Sequence, residues 1–228
     1  MIYIKAIIGC MIQIVFFGSL LIIPSPNWNW PEAEIFLKVF FCIQIINSII
    51  ICRFKQTAME SRLRIPITKK QSFKDKAAFL ILFISMVSNI ILIPIDKFYL
   101  LTFSEADHRL IYSGIVFFSI GYILSTITIL QNEFASTHME VQKEKGHILI
   151  DTGPYEFIRH PMYLSFFIFL FGMSLMLGSI LASIYSLSIL ILSFIPRIEN
   201  EERELKRDLE GYNEYCKKVK FKIIPFIY

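Results

Sequence analysis

Charge is scarce in this sequence: only 18% of its 228 residues are Asp, Glu, Lys or Arg, while 55% are hydrophobic. That balance exceeds what a water-soluble core requires and excludes an ordinary soluble domain. Cysteine is also sparse. Cys10, Cys42, Cys52 and Cys216 lie mostly within apolar runs and show no paired ligand spacing, so neither a disulfide framework nor a zinc site is expected. The net charge of +4 comes without a basic stripe interleaved with aromatics, which argues against a nucleic-acid partner and leaves anionic lipid headgroups as the expected one. A Gly-rich strand-turn-helix fingerprint is missing too, excluding the Rossmann manner of holding a nucleotide-bearing cofactor. With no internal repeat and no low-complexity segment, a single membrane domain is the economical reading.

What the chain does have is long apolar runs, about as long as the ~20 residues that span a bilayer. They cover Ile2 to Ile23, Glu34 to Cys52, Ala77 to Ile95, Arg109 to Leu130, and Met162 to Ile195, the last without any charged residue. The first lacks a small-x-small cleavage site and is expected to be a retained helix. Trp28 and Trp30 follow it in a stretch free of Lys and Arg and are expected at headgroup level. The run from Met162 to Ile195 would exceed the ~30 Å hydrocarbon core by more than half at ~1.5 Å per residue. It therefore reads as two helices in a hairpin, turning near Gly178-Ser179.

Charge topology supports that hairpin independently. Eight Lys and Arg lie between Arg53 and Lys76, three between Gln131 and Arg159, and eight between Arg197 and Lys222, while the alternate loops contribute Lys97 and Arg109. Basic residues collect in cytoplasmic loops, and six spans put every rich segment on that side, with both termini cytoplasmic. The expected fold is thus all-α and integral to the membrane, with about six transmembrane helices, the last two a hairpin, followed by a cytoplasmic amphipathic helix. Residues 1–130 form the N-terminal transmembrane helices and 131–228 hold the polar motifs. Gln13, Gln44, Asn47 and Asn89 interrupt the first three spans, either lining a cavity or bonding between helices.

The most informative segment runs from Gln142 to Tyr163. Pro161 suits the first turn of a helix, where its missing amide costs nothing, and that puts His160 at the cap. Arg159, His160 and Tyr163 would then gather at the partially positive helix end, with Gly153-Pro154 turning Tyr155 and His147 toward them. The same residues also fit an anchor, a cap and an interfacial aromatic. Downstream, Arg197 and Glu201 are four apart and share one helical face, though exposed pairs of this kind often only solvate a helix. Leu205, Leu209, Tyr212, Cys216 and Val219 step by four and three, as an amphipathic helix would.

Taken together, Gln142 to Lys145, His147 to Tyr155, Arg159 to Tyr163 and Arg197 to Glu202 resemble, in order and spacing, the motifs of the isoprenylcysteine carboxyl methyltransferase family. The ending, Tyr215 to Val219 and Ile224-Pro225-Phe226, is similar as well. The chain departs from the family pattern at Ile150-Asp151, at Asn200 and at Gly211. The resemblance implies that Gln142, His147, Ile148, Leu149, Ile150, Tyr155, His160, Pro161, Met162, Tyr163 and Glu201 surround S-adenosylmethionine, and that residues 131–228 are the catalytic region. It also implies that Arg197 orients the methyl acceptor, with Arg159 a further anion donor. The acceptor would be a lipophilic carboxylate arriving from the bilayer, a lipid-modified cysteine by family default, and no metal is called for. An ionised carboxylate needs no general base, so positioning would carry the reaction. Two other readings stand beside it, a phospholipid N-methyltransferase, for which no dedicated base stands out, and a non-catalytic membrane scaffold.

Overall fold

The computed structural model describes residues 2–63, 73–101, 108–134 and 148–227. Among these residues every regular element is helical. Four long helices come first, α1 (Ile2–Ile22), α2 (Pro31–Phe54), α4 (Phe73–Ile95, prolonged by a π turn over Asp96–Leu100) and α5 (His108–Gln131), with the short α3 (Gln56–Arg62) between the second and third of them. After a 3-10 turn at Gly153–Glu156 come α6 (Pro161–Met176), α7 (Ile180–Ile189), α8 (Ile195–Asp208) and α9 (Tyr212–Lys218).

Among the described residues, five helical stretches are long and apolar enough to cross a membrane: Ile2–Ile22, Pro31–Phe54, Lys76–Leu100, His108–Gln131 and Ile180–Asp208. The last of these is α7 continued through a π turn at Leu190–Phe194 into α8, so the polar segment beginning at Arg197 extends the preceding span. The fifth of the six expected spans, α6, has 16 residues, and at ~1.5 Å per residue it is shorter than the ~30 Å hydrocarbon core. The α6–α7 hairpin turns at Leu177–Ser179, where Gly178 takes φ +82°. Asp96 pins that turn from α4, its Oδ2 accepting hydrogen bonds from Ser179 Oγ (2.6 Å) and Leu181 N (3.3 Å).

Helices α5 and α6 approach so closely that only glycine fits at the seam. A Cβ at Gly172 would stand 2.2 Å from Phe118 N, one at Gly114 2.3 Å from Met176 N, and one at Gly121 2.6 Å from Phe169 N. Small residues that admit backbone contact are the usual means of joining helices where the surrounding lipid is as apolar as the side chains. The amides within the spans bond between helices: Gln44 to Gln13 and Tyr122, Thr126 Oγ1 to Asn47 (3.0 Å), and Asn89 to the Ala182 carbonyl (2.7 Å).

Two expectations change. Trp28 is 84% exposed, as an interfacial ring would be, but Trp30 is turned inward, packing edge-on against Phe98 at 5.1 Å with Lys97 over its face. The amphipathic stretch from Leu205 to Val219 is two helices, because Gly211 breaks it with φ +80°. Its apolar positions still converge, Leu209, Tyr212, Tyr215 and Val219 burying one cluster with Tyr155.

Candidate active site

Pro161 begins α6 and His160 precedes it, as the sequence predicts, but the imidazole does not cap the helix. It turns instead to Glu202. One oxygen of that carboxylate, Oε1, accepts hydrogen bonds from Arg159 Nε at 2.6 Å and from His160 Nε2 at 3.2 Å, which puts the imidazole proton on Nε2. Lys206 approaches the other oxygen at 3.5 Å. Arg159 also donates through Nη1 to the carbonyls of Val219 (2.7 Å) and Lys220 (3.0 Å). The backbone amides of Arg159 and His160 donate to the carbonyls of Phe221 (3.0 Å) and Lys222 (2.8 Å). These bonds tie the start of α6, the middle of α8 and the segment after α9 into one unit. Burial disfavours the Arg159 cation, but the hydrogen bond to Glu202 and its charge outweigh that, and the guanidinium pKa lies above its usual value.

One turn along, Tyr163 joins Arg197 and Glu201. Its hydroxyl donates to Glu201 Oε2 (2.8 Å) and accepts from Arg197 Nε (2.9 Å), while the Arg197 guanidinium lies 5.8 Å from the Phe79 ring centroid on α4. The four-residue spacing of Arg197 and Glu201 thus brackets a single phenol. A third group of tyrosines closes the polar end. Tyr215 Oη donates to the Tyr155 carbonyl (2.7 Å), and Asn132 Nδ2, beyond the end of α5, donates to Tyr155 Oη (3.1 Å). Burial pushes the Tyr155, Tyr212 and Tyr215 phenols up, so all three are neutral. The Tyr212 hydroxyl is buried with no hydrogen-bond partner in the protein among the described residues.

These side chains line a cavity of about 500 Å³. Of the residues expected around a cofactor, Leu149, Ile150, Tyr155, His160, Pro161, Met162, Tyr163 and Glu201 border it, together with Arg159 and Arg197. Ile148 is 62% exposed and does not line it. Gln142 and His147 lie outside the described residues. The cavity is also lined by residues that the sequence does not mark as part of a site: Tyr212 and Tyr215, Asn132, Arg62, and the apolar wall of Phe16 and Phe17 on α1 with Phe79, Phe83 and Met86 on α4. Glu202 is likewise unmarked in the sequence. It neighbours Glu201 in an acidic run, and nothing local separates the two until the fold points one at Tyr163 and the other at Arg159.

Comparison with known proteins bears on the same region. Residues 114–207, from within α5 to the end of α8, match the profile of the Isoprenylcysteine carboxyl methyltransferase (ICMT) family. The chain is 31% identical over 109 residues to the protein-S-isoprenylcysteine O-methyltransferase of Schizosaccharomyces pombe, covering 47% of this chain and 46% of that one. It is 34% identical over 116 residues to the Saccharomyces cerevisiae enzyme of the same name (50% and 48%), and 30% identical over 116 residues to protein-S-isoprenylcysteine O-methyltransferase B of Arabidopsis thaliana (50% and 58%). The chain thus spans about half the length of the curated relatives it matches. The segment carrying the Arg159, Tyr163, Arg197 and Glu201 constellation just described is thus similar to the isoprenylcysteine carboxyl methyltransferase family.

Proposed function

We propose that this protein transfers the methyl group of S-adenosylmethionine to the carboxylate of a lipid-modified cysteine, or a similar amphiphilic acid, at the cytoplasmic face of the membrane. The observation that carries the reading is a single cavity with two chemistries. Arg197, Tyr163, Glu201, His160 and Tyr155 line its polar end, while Phe16, Phe17, Phe79, Phe83 and Met86 give it an apolar wall between α1 and α4. A ligand with a charged head and a long hydrocarbon tail matches that division. The volume also falls within the ~300–1,000 Å³ usual for small-molecule sites.

The chain's own groups fit the methyl donor. Glu201 offers a carboxylate for hydroxyls or an ammonium, the tyrosines offer aromatic surface that also suits a cation, and Tyr212 holds an unused hydroxyl. Bound there, S-adenosylmethionine supplies a methyl group made electrophilic by its sulfonium. Arg197, whose Nε is held by Tyr163, directs its guanidinium toward the acceptor carboxylate and presents one oxygen in line. Arg159 serves this site indirectly, since its Nε and Nη1 are engaged by Glu202 and two carbonyls. It fixes the start of α6, and with it His160 and Tyr163. The low-charge wall excludes water, and alignment of donor and acceptor then supplies most of the acceleration, up to ~7–11 kcal/mol for well-oriented pairs. The basic segments around Arg53–Lys76 and Arg197–Lys222 support a cytoplasmic position for the polar end.

The reading is tested at Arg197. Arg197→Lys keeps the charge but loses the planar two-point geometry, so turnover of a farnesylated cysteine substrate should fall while donor affinity persists. Arg197→Ala should cost at least about tenfold in kcat/KM, because a charge-assisted hydrogen bond contributes ~1.5–3 kcal/mol. Full activity of Arg197→Lys would remove the acceptor role.

A further inference from the structure

Besides Arg159 and Arg197 the cavity is lined by a third guanidinium, and it comes from the part of the chain outside the family match. Arg62 ends α3 and lines the same cavity as Tyr155, Asn132 and Ile150. Among the described residues it has no carboxylate partner, and its one hydrogen bond is a long one, Nη1 to the Ala58 carbonyl of its own helix at 3.5 Å. Arg159, by contrast, meets Glu202 at 2.6 Å. Burial pulls the Arg62 pKa down to about 10, the direction expected of a cation withdrawn from water without a counter-ion.

The helix bearing Arg62 is held firmly in place. Ala58 and Met59 bury themselves with Ala6, Ile51, Cys52 and Ile129, and Ser61 is buried beside them. Thr57 and Lys55 both bond Glu133, just past the end of α5, the latter at 3.7 Å. Asn132, next to Glu133, holds Tyr155. The end of α5 therefore fixes Arg62 and Tyr155 relative to one another, and a long, rotamer-rich side chain has its base anchored at the cavity wall. A withdrawn guanidinium without an anion is costly unless an anion arrives, and its planar fork suits a carboxylate bound at two points.

We propose that Arg62 receives a carboxylate of the bound ligand, forming an anion subsite distinct from Arg197 and contributed by the N-terminal half of the chain. The inference rests on the methyltransferase reading for the nature of its ligands, both of which carry a carboxylate: the amino-acid end of S-adenosylmethionine and the acceptor acid. The full-length protein in detergent would be titrated calorimetrically with S-adenosylmethionine and with decarboxylated S-adenosylmethionine. In parallel it would be titrated with farnesylcysteine and with farnesylcysteine amide.

Wild type should prefer the carboxylate-bearing member of one pair by about tenfold or more, as a charge-assisted pair implies, and Arg62→Met should lose that preference. Loss in the donor pair assigns the subsite to the methyl donor, and loss in the acceptor pair assigns it to the acceptor. Arg62→Lys should keep part of the preference, and it serves as the folded control if the methionine variant proves unstable. Arg62→Met or Arg62→Lys retaining the full wild-type preference in both pairs overturns the proposal. A wild type that binds neither donor form overturns the methyltransferase reading instead, and the acceptor pair then decides the role of Arg62 alone.

Discussion

The α6–α8 wall of the cavity is held by charged and directional bonds, Arg159, His160 and Lys206 converging on Glu202 and Arg197 and Glu201 meeting at Tyr163. The α1–α4 wall is held by rings, with Phe16 stacked on Phe83 at 6.1 Å, Phe83 on Phe79 at 6.3 Å, and Phe17 edge-on to Phe169. The first wall sets where atoms sit. The second sets what shape of tail can lie beside them, and its Phe16 and Phe83 are themselves 36% and 43% exposed. The proposed joining of a water-borne donor to a membrane-borne acceptor needs both, and each wall obeys the rules of its own solvent.

The contrast breaks most sharply at Glu202. Glu202→Gln removes the charge that neutralises a buried Arg159, and losing one partner of a buried pair costs ~3–5 kcal/mol. Denaturant unfolding in micelles should show that loss, whereas Phe83→Ala on the opposite wall should cost well under that, since lipid or detergent replaces the ring. Equal losses would mean the two walls are not held differently. Next comes the α5–α6 seam, where Gly172→Ala drives a methyl into the Phe118 backbone. Overpacking of this kind costs ~1–3 kcal/mol, and a lowered melting temperature in detergent is expected. An unchanged melting temperature would show that the helices can separate without loss. Smallest is Tyr212→Phe. Because its hydroxyl is buried without a partner, removing it should leave the apo melting temperature unchanged or slightly raised, while a bound donor that supplies the partner should lose ~0.5–1.5 kcal/mol of affinity. A destabilised apo protein with unchanged donor affinity would make Tyr212 a packing residue only.

The sequence reveals these features unevenly, for physical reasons. Arg159, His160, Pro161 and Tyr163 are legible because a proline at the first helical turn fixes their geometry locally, and Arg197 with Glu201 because four residues make one helical turn. The hairpin is legible from run length and charge parity. Arg62 is hidden among the eight basic residues from Arg53 to Lys76, which topology alone accounts for. Trp30 reads as interfacial because nothing local shows that Phe98 and Lys97 will fold over it. Gly211 stands inside an unbroken apolar spacing that reads as one helix, and only its positive φ ends α8 before α9 begins. The seam was available, since Gly114 and Gly121 are seven residues apart on one face, two turns that admit a neighbour's backbone.

The central claim is that one cavity accepts a methyl donor at its polar end and a lipid-bearing carboxylate along its apolar wall. Purified protein incubated with methyl-labelled S-adenosylmethionine and farnesylcysteine tests it directly, with base-labile methyl ester as the readout. The account predicts ester formation that Arg197→Lys sharply reduces and that a short-chain S-alkyl cysteine fails to support. Labelled product on an amine, or equal ester formation from the short-chain acid, would contradict it.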